Sequence, residues 1–140
     1  VDIPVIANGD VVDSSSASEC LESTGASGLM IGRGAIGRPT IFYEIKRDLG
    51  WTENLPPWVE PDEAIARLWC WNRYLEICSE VYHDAPNKNL KRHAVSFTKG
   101  LPGASSMRVK LHREGDQKRL GTMVSDYLSD LAKPNSVLAT

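Results

Sequence analysis

Leu29-Met30-Ile31-Gly32-Arg33-Gly34-Ala35-Ile36-Gly37 is the stretch on which the reading of this chain turns. Leu29, Met30 and Ile31 form a short apolar run that reads as a fully buried strand. The run ends in Gly-Arg-Gly and meets a segment of helical character. A strand that passes through glycines into a helix start offers free backbone N–H groups and the positive end of a helix dipole, a natural seat for a phosphate. Side chains in place of the glycines would hold an anion away from the backbone. Arg33 adds a cation able to grip an oxyanion with two donors. An ordinary tight turn has the same letters, and this stretch by itself favours the turn.

Upstream, Ile3-Pro4-Val5-Ile6-Ala7 reads as a strand covered on both faces, stopping at the turn Asn8-Gly9-Asp10. Ser14 to Ser16 are expected to cap a helix that runs to about Ser23 and ends at Thr24-Gly25. Strand, helix and strand within thirty residues predict a parallel βαβ unit. Downstream, Pro39 suits the first turn of a helix carrying Ile41, Phe42, Ile45 and Leu49 to a stop at Gly50. Two parallel strands alone leave both sheet edges open. The expected fold class is therefore α/β plus all-α: the last two units of a (β/α)8 TIM barrel, then a small helical bundle. In such barrels the loops after strands seven and eight frequently build the phosphate site. The expected divisions are residues 1–50 for the barrel end, 51–60 for a linker, 61–133 for the helical domain and 134–140 for a flexible tail. Val1 already lies in an apolar run, so the chain is expected to begin inside a larger protein.

From Pro61 the pattern is helical. Ala64, Leu68, Trp71, Leu75, Cys78 and Tyr82 recur at three-and-four spacing, with Ile65 and Val81 beside them. A second helix is expected over about 87–99, closed by Gly100, and a third over about 104–112. Asp116 caps a last helix whose core stripe is Leu120, Met123, Val124, Tyr127, Leu128 and Leu131. Trp51 and Trp58 are expected to pin the linker against a neighbour, with base stacking the weaker alternative.

The 140 residues, 41% of them hydrophobic, suit one ordinary domain or parts of two. Nothing approaches a membrane-spanning run or a signal peptide. Three cysteines, Cys20, Cys70 and Cys78, with no Cys-x-x-Cys, argue against a disulfide framework or a zinc site and for a reducing cytoplasm. Cys70 and Cys78 read as buried apolar residues. Net charge is −8 over residues 1–86 and +7 over residues 87–119. So concentrated a basic block fits a polyanion partner or a solvated helix surface about equally. There is no Ser-His-Asp set, metal cluster or nucleoside-triphosphate loop to support hydrolase or ATPase readings.

Pro4-Val5-Ile6-Ala7-Asn8-Gly9-Asp10 and Thr24-Gly25-Ala26-Ser27-Gly28 through Gly37 resemble the tRNA-dihydrouridine synthases. Arg92-His93, Lys99-Gly100-Leu101-Pro102-Gly103-Ala104 and Arg108 are similar to that family's helical tail. The resemblance implies reduction of the uridine C5=C6 bond in tRNA by FMN, itself reduced by NADPH or NADH. It puts Asn8, Gly9, Gly32 and Arg33 around the FMN phosphate, with Asp10 close by. The family's general acid is a cysteine on an earlier loop, and none of the three here matches it. No catalytic residue is therefore expected in this chain, which alone should not turn over; the remaining barrel is expected from the same protein or a partner chain. Lys88, Lys91, Arg92, His93, Lys99 and Arg108 are the expected tRNA contacts, read by shape more than sequence. His93 could equally be a packed helix residue and Arg108 part of an internal ion pair, while Lys118 and Arg119 read as plain solvated charges. A non-catalytic RNA-binding module and the end of a different FMN barrel remain open alternatives.

Overall fold

The computed structural model describes residues 2–54, 56, 59, 62–83 and 85–133. Strands β1 (Ile6–Asn8) and β2 (Gly28–Met30) pair in parallel, Ile6 opposite Gly28 and Asn8 opposite Met30. Helix α1 (Ser14–Thr24) joins them. Its N-cap is Asp13 and not the serines. The extended backbone of Asp13 sets its carboxylate 2.8 Å from the Ser16 N–H, and the Ser16 hydroxyl accepts from the Asp13 N–H at 3.1 Å. Gly25 ends the helix with φ +63°. The expected parallel unit is present, but its strands are short and its outer face is bare. Ile3 is 68% exposed, Ile6 58% and Met30 51%. The expectation of strands buried on both faces therefore fails for this chain. The described residues supply one covering layer only, with Val11, Ala17, Ile41 and Ile45 as its core against Leu29 and Ile31.

After a 3-10 turn over Arg33–Ala35, helix α2 (Ile41–Asp48) starts past Pro39, which stands before the helix and not in its first turn. Ile41 and Ile45, four apart, take the inward face, and Phe42 turns to solvent.

Helix α3 (Glu63–Tyr82) is capped by Asp62, whose carboxylate accepts from the Ala64 N–H at 2.7 Å. With α4 (Leu90–Thr98), α5 (Ala104–Arg113) and α6 (Gln117–Ala132) it forms a bundle. Trp71 is its centre, donating its indole N–H to the Gly121 carbonyl at 3.1 Å and meeting Phe97 edge-on at 5.1 Å between centroids. The last stripe is as expected, with Leu120, Val124 and Leu128 buried and Asp116 accepting from the Arg119 N–H at 2.8 Å. On α3, Tyr82 of the expected stripe is exposed, and so are Ile65 and Val81 beside it, one residue being a step of about 100° round a helix. Cys70 is buried and its thiol is pushed up to about 11 by that burial; Cys78 is only half-buried.

The second helix is shorter than expected, so Lys88 and Lys99 fall outside it. Asn87 makes reciprocal bonds with Gln117 at 3.0 and 3.1 Å, and its side-chain oxygen accepts from the Asn89 N–H, delaying the start. Residues 55, 57, 58, 60, 61 and 134–140 lie outside the described residues, and with them the expected role of Trp58, most of the linker and the tail. Trp51 is exposed.

The two parts meet backbone to backbone. Gly37 has φ +83°, and a Cβ there would stand 2.4 Å from the Ser96 carbonyl carbon. Buried Arg67 braces the same region, donating to the carbonyls of Phe97 at 3.0 Å and Lys99 at 2.7 Å and pairing with Glu63 at 2.6 Å.

Candidate functional site

Because Asn8 pairs with Met30 at the ends of β1 and β2, the two loop tips emerge side by side. Asn8, Gly9, Asp10, Met30, Gly32 and Arg33 line one open cleft of about 410 Å³. The five expected cofactor contacts thus stand together. A Cβ at Gly9 or Gly32 would meet nothing within 4 Å, so the backbone there borders free space. Gly34 differs: its Cβ would stand 2.3 Å from the Val11 carbonyl oxygen. That glycine lets two loops touch and does not open a path for an anion. The turn that contains it, Arg33–Ala35, is three residues of 3-10 helix, too short to carry the dipole expected from the sequence. Arg33 is paired with Asp10, both largely exposed. Such a pair adds little to stability. A guanidinium has five donors, so this bond leaves others for an oxyanion.

The basic block divides in three. Lys99 and Arg108 line a cleft of about 250 Å³ with Thr98 and Ser105. Lys91 instead reaches the C-terminal end of α5, donating to the His112 carbonyl at 3.1 Å. Lys88 and Arg92 are exposed. His93 turns inward, its Nδ1 2.7 Å from the Tyr74 hydroxyl, so it shares no face with Lys91. Desolvation, then the nearby Arg92 charge, holds its imidazole below the usual value of 6.5. Among the described residues no carboxylate pairs with Arg108. Arg119 is not simply solvated: it lies 3.6 Å from the Glu114 carboxylate.

The dihydrouridine synthase family model matches residues 1–132. This chain belongs to that family. The tRNA-dihydrouridine synthase B of Escherichia coli K12 is 43% identical to it over 97 residues, 69% of this chain and 29% of that protein. The namesake from Klebsiella pneumoniae is 53% identical over 70 residues, 50% of this chain and 21% of the relative. That of Yersinia pestis is 58% identical over 57 residues, 41% and 18% of the two chains. The chain thus spans less than a third of the curated relatives it matches.

For a dihydrouridine synthase chain, sequence reasoning passed over three residues that arrange the surfaces. Arg67 belongs to no motif of its own; its place on the Ala64–Trp71 face was the available signal. Gly37 follows two glycines already given a role. Tyr74 sits three residues after Trp71, which was signal enough for burial, but its bond to His93 spans 19 positions. Among the described residues no helix is long and apolar enough to cross a membrane and no cluster suits a metal ion.

Proposed function

We propose that this chain is the C-terminal portion of a flavin-dependent tRNA-dihydrouridine synthase, working in the cytoplasm with FMN and NADPH or NADH. The single observation that carries this reading is the convergence of Asn8, Gly9, Gly32 and Arg33 on one cleft in a chain of this family. The residues suit the phosphate of FMN: one cation with spare donors, one amide side chain, and glycine backbone bordering open space. Asp10 holds Arg33 in place until an anion takes the remaining donors. FMN, when bound, supplies the hydride that saturates the uridine C5=C6 bond. The proton donor and the flavin-ring contacts belong to the rest of a TIM barrel. Bare apolar flanks on β1 and β2 support that reading, since such edges need further strands. The exposed cations Lys88, Arg92, Lys99 and Arg108 would meet tRNA phosphates, with Lys91 anchored to α5 as a lesser contributor.

The test uses the full-length enzyme. Arg33→Ala should lower the fraction of protein that retains FMN through gel filtration, with tRNA affinity kept. Unchanged flavin content would overturn the phosphate assignment. Lys99→Glu with Arg108→Glu should lower tRNA affinity and leave flavin bound; intact binding at physiological salt would reduce the block to plain surface.

A further inference from the structure

Arg67 is a cation in the wrong place for a solvated helix surface. Its side chain is 10% exposed, and the other buried residues of α3, Ala64, Ala66, Cys70 and Trp71, carry no charge. Its Nε is buried too and has no hydrogen-bond partner among the described residues. A buried guanidinium with a donor left over is costly, and an apolar side chain of the same volume would serve the core as well or better. The charge is explained by what it holds. One terminal nitrogen, Nη1, donates to the carbonyls of Phe97 at 3.0 Å and Lys99 at 2.7 Å, while Nη2 donates to Glu63 at 2.6 Å. Phe97 lies in the last turn of α4, so the first of these bonds is an ordinary helix cap. Lys99 lies past that helix, and the bond to its carbonyl fixes the turn leading to α5.

The turn is tied at both ends. The Lys99 N–H donates to the Ser96 carbonyl at 3.3 Å, so both backbone polar groups of Lys99 are engaged. Gly100 follows with φ +82°. At the far end the Tyr127 hydroxyl of α6 donates to the Pro102 carbonyl at 2.8 Å. Burial raises the pKa of that hydroxyl and the Arg67 charge lowers it, which makes the two clamping side chains neighbours. On the outer side of the turn, Lys99 and Arg108 line one cleft with Thr98, Ala104 and Ser105. Ala104, Ser105 and Arg108 share a face of α5 at three-and-four spacing, so their mutual placement is set by that helix. The placement of Lys99 relative to Arg108 is set by the turn, and the turn is held from inside by Arg67 and Tyr127.

We propose that Arg67, with Tyr127 at the other end of the turn, is a positioning residue for RNA binding: it holds Lys99 where that cation and Arg108 grip neighbouring phosphates of tRNA. Arg67 itself touches no RNA. This inference rests on the RNA reading above.

The test measures tRNA affinity of the full-length enzyme by filter binding from low to physiological salt. Lys99→Met should flatten the log–log salt slope by roughly 0.7–0.9, one phosphate contact. Arg67→Lys keeps the buried charge, but a single ammonium lacks the planar fork that reaches two carbonyls and a carboxylate together. It should flatten the slope by a comparable amount with flavin content unchanged. The double variant should lose no more slope than Lys99→Met alone, because Arg67 acts through Lys99. A merely structural loss lowers the folded fraction, which weakens apparent binding equally at every salt and leaves the slope intact. Tyr127→Phe keeps the packed ring and should flatten the slope in the same direction. A wild-type slope in folded Arg67→Lys, or in Tyr127→Phe where Arg67→Lys does not fold, overturns the positioning role and leaves the RNA reading intact. Additive slope losses in the double variant overturn it as well. A wild-type slope in Lys99→Met overturns the Lys99 contact with tRNA and the role of Arg67 together.

Discussion

His93 is one imidazole whose chemistry is set by two neighbours, Tyr74 and Asn87, and by partial burial. Its pKa is depressed in the folded chain, so the unfolded chain binds its proton more readily. The sign follows: stability falls as pH drops through the ordinary value of 6.5, and the loss stops growing below the depressed folded value. Urea midpoints measured between pH 8 and pH 5 should fall toward acid, and His93→Gln should flatten that part of the curve. An unaltered slope in the variant would assign the acid sensitivity to other groups. At this scale the sequence was half legible. Asn8, Gly9, Asp10, Gly32 and Arg33 announced themselves as turn residues, and they share a cleft. The purpose of Gly34 was not visible, because its contact is with Val11, a backbone 23 positions away. The Arg33–Asp10 pair was equally hidden, since spacing shows proximity of loops but not which side chains meet.

Helix ends declared themselves where their causes are local. Asp62, Asp116 and Gly25 cap neighbours within three or four residues, and those boundaries agree with the sequence reading. The start of α4 did not, because it is set by the Asn87–Gln117 exchange across 30 positions. Which face of α3 turns inward was similarly settled by α6, through the Trp71 bond to Gly121. The joint between α4 and the segment before α2 depends on one glycine. Gly37→Ala would carry both left-handed strain and a collision with the Ser96 carbonyl. The expected cost is about 3 kcal/mol, read from chemical denaturation. Amide exchange should also quicken at residues 96–99. A variant as stable as the parent would mean that this contact relaxes freely.

Across the whole chain, acidic and basic residues are segregated, −8 before residue 87 and +7 over residues 87–119. In the proposed reading the acidic half carries the flavin cleft and the basic half meets RNA. Affinity for tRNA should then fall with salt, each neutralised phosphate steepening the log–log slope by roughly 0.7–0.9. Removing both Lys99 and Arg108 charges should flatten that slope by about 2, measured by filter binding from low to physiological salt. A slope unmoved by that pair would put the phosphate contacts elsewhere. The parallel unit and bundle were legible as periodicity, whereas the bareness of β1 and β2 was not, since a strand's letters record what covers it in the whole protein.

The abutment of Gly37 on the main chain at Ser96 has a consequence for how such a molecule can diversify. Peptide units, not rotatable side groups, fix the span from the Arg33 tip to the α4 cations. Descendants of this chain can exchange their outward lysines and arginines, and on the proposed RNA reading so choose a different nucleic-acid shape, while that span stays constant like a ruler with repainted marks.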